Sequence, residues 1–242
     1  MINIRRFNNL ALLGCCFAAV GLAQQVSMQL IPPTASGPVL DGVYINPYTA
    51  LIGPANQTGS LGSPIVGTPT LVICDDYLTD VSLSTPAWQA DATNVASITG
   101  PTPNTTVKFD QTNAALQQSQ YTVAAVLATQ ILSAQQQANI TSEGELSFAL
   151  WGLFDPALAL DSVASADLTS AENTAAGLTT SNFSNVTVYT PIVNQPGGIN
   201  ASQEYIVVRT PEPAELAVFG VEFSGLLGLV YVLRRRSARA AR

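Results

Sequence analysis

The chain contains no histidine. That removes the usual general base and the commonest zinc ligand, and with them any Ser-His-Asp arrangement. Charge is also scarce, at 10% of residues. Between the two termini the only cationic side chains are Lys108 and Arg209, and the net charge is −7. A chain so poor in cations offers nothing to a phosphate backbone, so nucleic acid is excluded as a partner. There is no glycine-rich phosphate loop and no internal repeat. No metal or cofactor is expected, and enzymatic activity is the least supported class. What is abundant is Thr, Ser, Asn, Gln and Ala, which suits a neutral extracellular surface.

The two ends differ from the middle. At the N-terminus Arg5 and Arg6 precede an apolar run, Leu10 to Leu22. Gly21-Leu22-Ala23 then gives small residues at the cleavage positions, so residues 1–23 read as a secretory signal peptide cut after Ala23. Leu12-Leu13-Gly14-Cys15 offers a lipobox-like alternative, with a short apolar core of about five residues. Cys15 and Cys16 leave with the leader, and the body keeps one unpaired thiol, Cys74.

Residues 210–242 form the other end. Pro211-Glu212-Pro213 cannot enter a helix smoothly and marks an extended hinge. Leu216 to Leu233 follows, at about 1.5 Å per residue a helix of about 27 Å, enough to span a bilayer. Glu222 interrupts this run. Arg234, Arg235 and Arg236 close it and favour a cytoplasmic C-terminus.

Proline motif, Gly/Leu-rich span and arginine cluster, in that order, resemble the PEP-CTERM sorting signal of Gram-negative bacteria. The resemblance implies an exosortase, a membrane protease-transpeptidase, as the processing partner at the inner membrane. It implies release to the cell surface or the extracellular polysaccharide matrix. Some proteins carrying this tail are labelled ice-binding, although regular Thr-x-Thr arrays are absent from this sequence.

Between the ends, residues 24–209 read as one exported α+β domain, with strands flanking a central helical region. Val26 to Leu30 alternates and predicts a first strand. Asp41 to Tyr48 reads as a turn, a short strand and a turn. Leu51 to Thr70, rich in Gly and Pro, reads as a loop or hairpin. Thr70 to Cys74 is a compact β-rich run, followed by strands at Val81–Leu83 and Trp88–Ala90. Ala114 to Gln137 has helical spacing. Glu143 to Phe154 predicts a second helix capped by Thr141 or Ser142 and stopped by Asp155-Pro156. Ser165 to Ala176 predicts a third, ended by Gly177. Val186–Tyr189 and Tyr205–Val208 return to strand.

Two stretches, Val72-Ile73-Cys74-Asp75-Asp76-Tyr77 and Leu146-Ser147-Phe148-Ala149-Leu150-Trp151, resemble the thioester domains of bacterial surface adhesins. In that family a strand Cys is joined to a Gln side chain, leaving an acyl group that can capture an amine or hydroxyl on a target. The resemblance places the partner of Cys74 at Ser147, which has no carboxamide, so the site reads as degenerate unless another glutamine such as Gln137 serves. Otherwise Cys74 fills a core position beside Trp151 and Phe148. Asp75, Asp76 and Asp80 raise a calcium site against the simpler reading of a solvated turn. Glu143 and Glu145, two apart on a helix, diverge and read as first-turn charge rather than a catalytic pair. Asn-x-Ser/Thr occurs at Asn56, Asn104, Asn139, Asn182, Asn185 and Asn200, read as compositional. The expectation is a non-enzymatic exported surface or matrix protein, with an adhesin-like or ice- or glycan-binding module as the alternative.

Overall fold

A computed structural model describes residues 23–32, 38–60, 62–79, 86–192 and 203–209. Residues 1–22 and 210–242 lie outside these, and with them the leader and the tail motif Pro211-Glu212-Pro213, the span 216–233 and Arg234–Arg236. Among the described residues no helix is long and apolar enough to cross a membrane.

The strands are β1 (Gln24–Leu30), β2 (Val39–Leu40), β3 (Val43–Tyr44), β4 (Tyr48–Pro54), β5 (Thr68–Cys74), β6 (Trp88–Asn94), β7 (Val186–Pro191) and β8 (Tyr205–Val208). Three helices separate β6 from β7: α1 (Ala114–Gln136), α2 (Ile140–Phe154) and α3 (Ser162–Ala175). Six strands close into an antiparallel barrel in the order β1-β4-β5-β8-β7-β6, and β2 and β3 form a separate ribbon. Closure removes the exposed edges an open sheet would present.

Side-chain alternation sorts the barrel into two cores. Val26, Met28 and Leu30 of β1, Val72 and Cys74 of β5, Trp88 and Ala90 of β6 and Tyr205 and Val207 of β8 pack together in one buried cluster, the barrel interior. The alternate residues Ile73, Val186, Val188 and Ile206 pack with the helices in a second cluster. There α1 contributes Tyr121, Ala124, Leu127, Ala128 and Ile131, spaced three or four apart on one face. α1 packs on α2 and α3 and lies against β8. The outer face of β1 is covered by the β4–β5 connection, where the Gln57 amide donates to Ser27 Oγ (2.9 Å) and the Ile65 amide to Gln29 Oε1 (3.0 Å).

Helices at the centre and strands on either side are as the sequence indicates; barrel closure is additional. Leu51 to Thr70 is not all loop, since Leu51–Pro54 completes β4 and Thr68–Thr70 opens β5. The second helix starts earlier than expected because Asn139, rather than Thr141 or Ser142, caps it through the Ser142 amide. The third runs from Ser162, capped by Asp161 on the Val163 and Ala164 amides. The strand expected at Val81–Leu83 lies outside the described residues. Ala23 immediately precedes β1 and is half-buried.

Candidate functional site

The site is built where β5 ends beside β8. The register pairs Ile73 with Ile206 and Cys74 with Tyr205. One step further the Asp75 amide donates to the Glu204 carbonyl (3.4 Å), and one more brings Gln203 opposite Asp76. Alternation then divides these residues between two faces. Cys74 and Tyr205 turn to the barrel interior, with Gln203 in phase with them; Asp75 and Glu204 fall in the opposite phase, the side on which Ile73 and Ile206 meet the helices.

On the interior face, Cys74 Sγ donates to the Asp76 carbonyl at 3.4 Å. Gln203 Nε2 donates to the same oxygen at 3.0 Å. A thiol and a carboxamide from opposite ends of the domain, 127 residues apart between Asp76 and Gln203, therefore meet on one acceptor. The Tyr205 hydroxyl donates to Gln203 Oε1 at 3.2 Å. Burial first, then the neighbouring Asp75 and Asp76 carboxyls, push the Cys74 thiol well above its ordinary range, so it keeps its proton at neutral pH.

The Cys74 backbone is clamped from two sides. Asn46 Oδ1 accepts from the Cys74 amide (2.6 Å), and Asn46 Nδ2 donates to the Cys74 carbonyl (2.9 Å). Trp151 Nε1, from α2, donates to that same carbonyl at 2.9 Å. Trp151 is in turn held edge-on by Phe148 and packs against Tyr77.

Cys74 and Ser147 are thus brought into one network through Asn46. Ser147 Oγ donates to the Glu143 carbonyl (2.6 Å) and accepts the Asn46 amide (3.2 Å). It makes no bond to the thiol. Gln137, at the exposed end of α1, bonds Ser133 Oγ instead. The carboxamide at the thiol is Gln203, which the sequence reading passed over. No local motif marks it; its phase with Tyr205, in a strand that pairs with the cysteine strand, is the signal that finds it.

On the helical face lies a buried acid group. Glu204, with no exposed surface, accepts the Tyr121 hydroxyl (2.5 Å), the Lys108 amide (2.8 Å) and the Thr190 hydroxyl. Burial raises its carboxyl, and these donors pull it back toward the charged form. Asp75 is equally buried, and neither of its oxygens has a donor among the described residues. Burial, then the negative charges of Glu204 and Asp76, drive its carboxyl well up. Asp75 therefore keeps its proton to higher pH than a solvated carboxyl does, near a Glu204 whose charged form its three donors favour.

Asp76, also buried, pairs through Oδ2 with Lys108 Nζ, which donates as well to Thr79 Oγ1 (2.9 Å). The solvated turn expected at Asp75-Asp76 is corrected: both are enclosed, because β8 and Lys108 cover the end of β5. Among the described residues no three His, Cys, Asp or Glu groups are arranged to hold a metal, and Asp80 lies outside them. Glu143 sits buried in the first turn of α2, with Glu145 half-exposed. Several of the Asn-x-Ser/Thr asparagines serve locally, Asn139 as a cap and Asn104 through the Thr106 amide and hydroxyl.

No protein-family profile matches the chain and no curated protein does. Among solved structures it is similar to the N-terminal thioester domain of a surface protein from Clostridium perfringens, at 13% identity and a TM-score of 0.39. The match covers 76% of this chain and 98% of that one.

Proposed function

We propose that this chain is an exported surface protein whose barrel holds an internal acyl site made by Cys74 and Gln203. The carrying observation is the shared acceptor: Cys74 Sγ and Gln203 Nε2 both donate to the Asp76 carbonyl. In the reaction, Cys74 Sγ bonds to Gln203 Cδ and the Cδ–Nε2 bond breaks. The thiol proton leaves on the nitrogen, so one ammonia departs and a thioester remains. No oxidant or co-reactant is needed. Burial of Cys74 keeps water from one side of the thioester, as closed sites protect reactive intermediates, while Gln203 stays half-exposed and open to a partner. A partner's amine or hydroxyl opens it, forming an amide or ester to Gln203 and returning the thiol.

The bond is spent once, so the chain captures rather than turns over and is not an enzyme. Two features support this reading. Lys108 is the chain's one lysine, and its amine is held by Asp76 and Thr79. The body thus presents its own acyl group with almost no competing amine. The domain's first strand begins one residue after Ala23 and its last ends at Val208, three residues before Pro211. The barrel's strands thus fall between the proposed leader and the proposed sorting tail. Delivery is assigned to that tail, with an exosortase as processing partner, the inner membrane as a transient anchor and the cell surface or polysaccharide matrix as destination.

Intact-mass measurement of the exported protein tests the site. The expected mass is one ammonia below the sequence value, restored in Cys74→Ser and in Gln203→Glu, with one methylamine gained by the native chain alone. A full sequence mass with a thiol that titrates on unfolding would reduce the protein to a non-covalent surface module.

A further inference from the structure

We propose that Tyr205 is a catalytic residue of this site, the donor that holds the negative charge appearing on Gln203 Oε1 as the thioester forms and opens. The assignment rests on the Cys74–Gln203 reading. Its geometric basis is the 3.2 Å hydrogen bond from the Tyr205 hydroxyl to that oxygen. When Cys74 Sγ adds to Cδ, the carbonyl electron pair moves onto Oε1. Collapse of the adduct returns the pair and expels Nε2, which leaves as ammonia with the thiol proton. When an amine later adds to the same carbon, the charge returns to the same oxygen, and Cys74 departs as a thiol with a proton from the amine. One fixed donor therefore serves both directions.

The donor is held rather than recruited. Tyr205 is fully buried, with its ring against Trp88 (centroids 6.0 Å apart, 32° between planes) and edge-on to Tyr48 (6.5 Å, 84°). A donor already oriented in a water-poor interior loses nothing to reorganisation at the moment charge develops. Burial raises the phenol well above its ordinary value, so it remains a donor over the whole neutral range. Tyr48, its neighbour, gives its hydroxyl to the Tyr44 carbonyl (2.8 Å) and so is the matched control.

Tyr205→Phe removes one oxygen and keeps the ring. The rate at which methylamine adds to the protein, followed by intact mass, is expected to fall on the order of 100-fold, the usual effect of deleting one such donor. Tyr48→Phe is expected to leave that rate unchanged, with melting temperatures confirming that both variants fold. Equal rates in native and Tyr205→Phe protein, or equal slowing in both variants, overturn the role of Tyr205. A native protein that never lost ammonia overturns the underlying acyl site instead, and the two failures are read in separate measurements.

Discussion

Asp75 shows how a residue can be placed against its own preference. Its buried carboxyl has no hydrogen-bond partner among the described residues and feels the negative charges of Glu204 and Asp76, so its folded pKa lies above the unfolded value of about 3.9. The folded chain then holds a proton that the unfolded chain releases. The stability from that proton is complete below about pH 4 and is lost as pH rises through the raised folded value. Melting temperature should therefore fall from mildly acidic toward neutral pH. Asp75→Asn, which removes the titrating group, should flatten that slope; an unchanged slope would show that Asp75 does not set it. Cys74 was legible as a candidate because it is the body's lone cysteine. Gln203 was not, because glutamine is common in this chain and only a non-local pairing distinguishes this one.

The β4–β5 connection is fixed by space. A Cβ on Gly53 would lie 2.1 Å from the Val66 carbonyl oxygen, and one on Gly67 would lie 2.7 Å from the Ile52 oxygen. Backbone meets backbone there, so nothing can swing aside. Gly53→Ala should cost about 1–3 kcal/mol in denaturant unfolding, as overpacking generally does. A loss well below that range would mean that the connection does not press on β4 as described. The sequence suggested only a glycine-rich loop here, since composition reports chain freedom and not the strand ends hidden within it. Helices fared better, since the spacing from Ala124 to Leu132 is local, although the cap expected at Thr141 or Ser142 is made by Asn139. Barrel closure could not be read locally, because which strand neighbours β5 is decided by a segment more than a hundred residues away.

For the molecule as a whole, the proposed export route makes a separate prediction. Replacing Pro211 and Pro213 with Ala should leave the full-length chain in the inner membrane fraction, with its C-terminal arginines still present by mass spectrometry. The native chain should end near that motif and appear outside the cell. Native protein found wholly in the cytosol would remove the sorting proposal while leaving the barrel chemistry untouched.

The strand that seats Gln203 beside Cys74 is the last of the barrel, and it lies just ahead of the segment proposed to halt in the bilayer. A chain threaded outward from its N-terminus delivers the cysteine long before its partner arrives. On the proposed reading the acyl site would thus be assembled only when translocation is nearly finished, on the side where the proposed targets lie. By that route the cell's own interior, rich in amines, would never meet it armed.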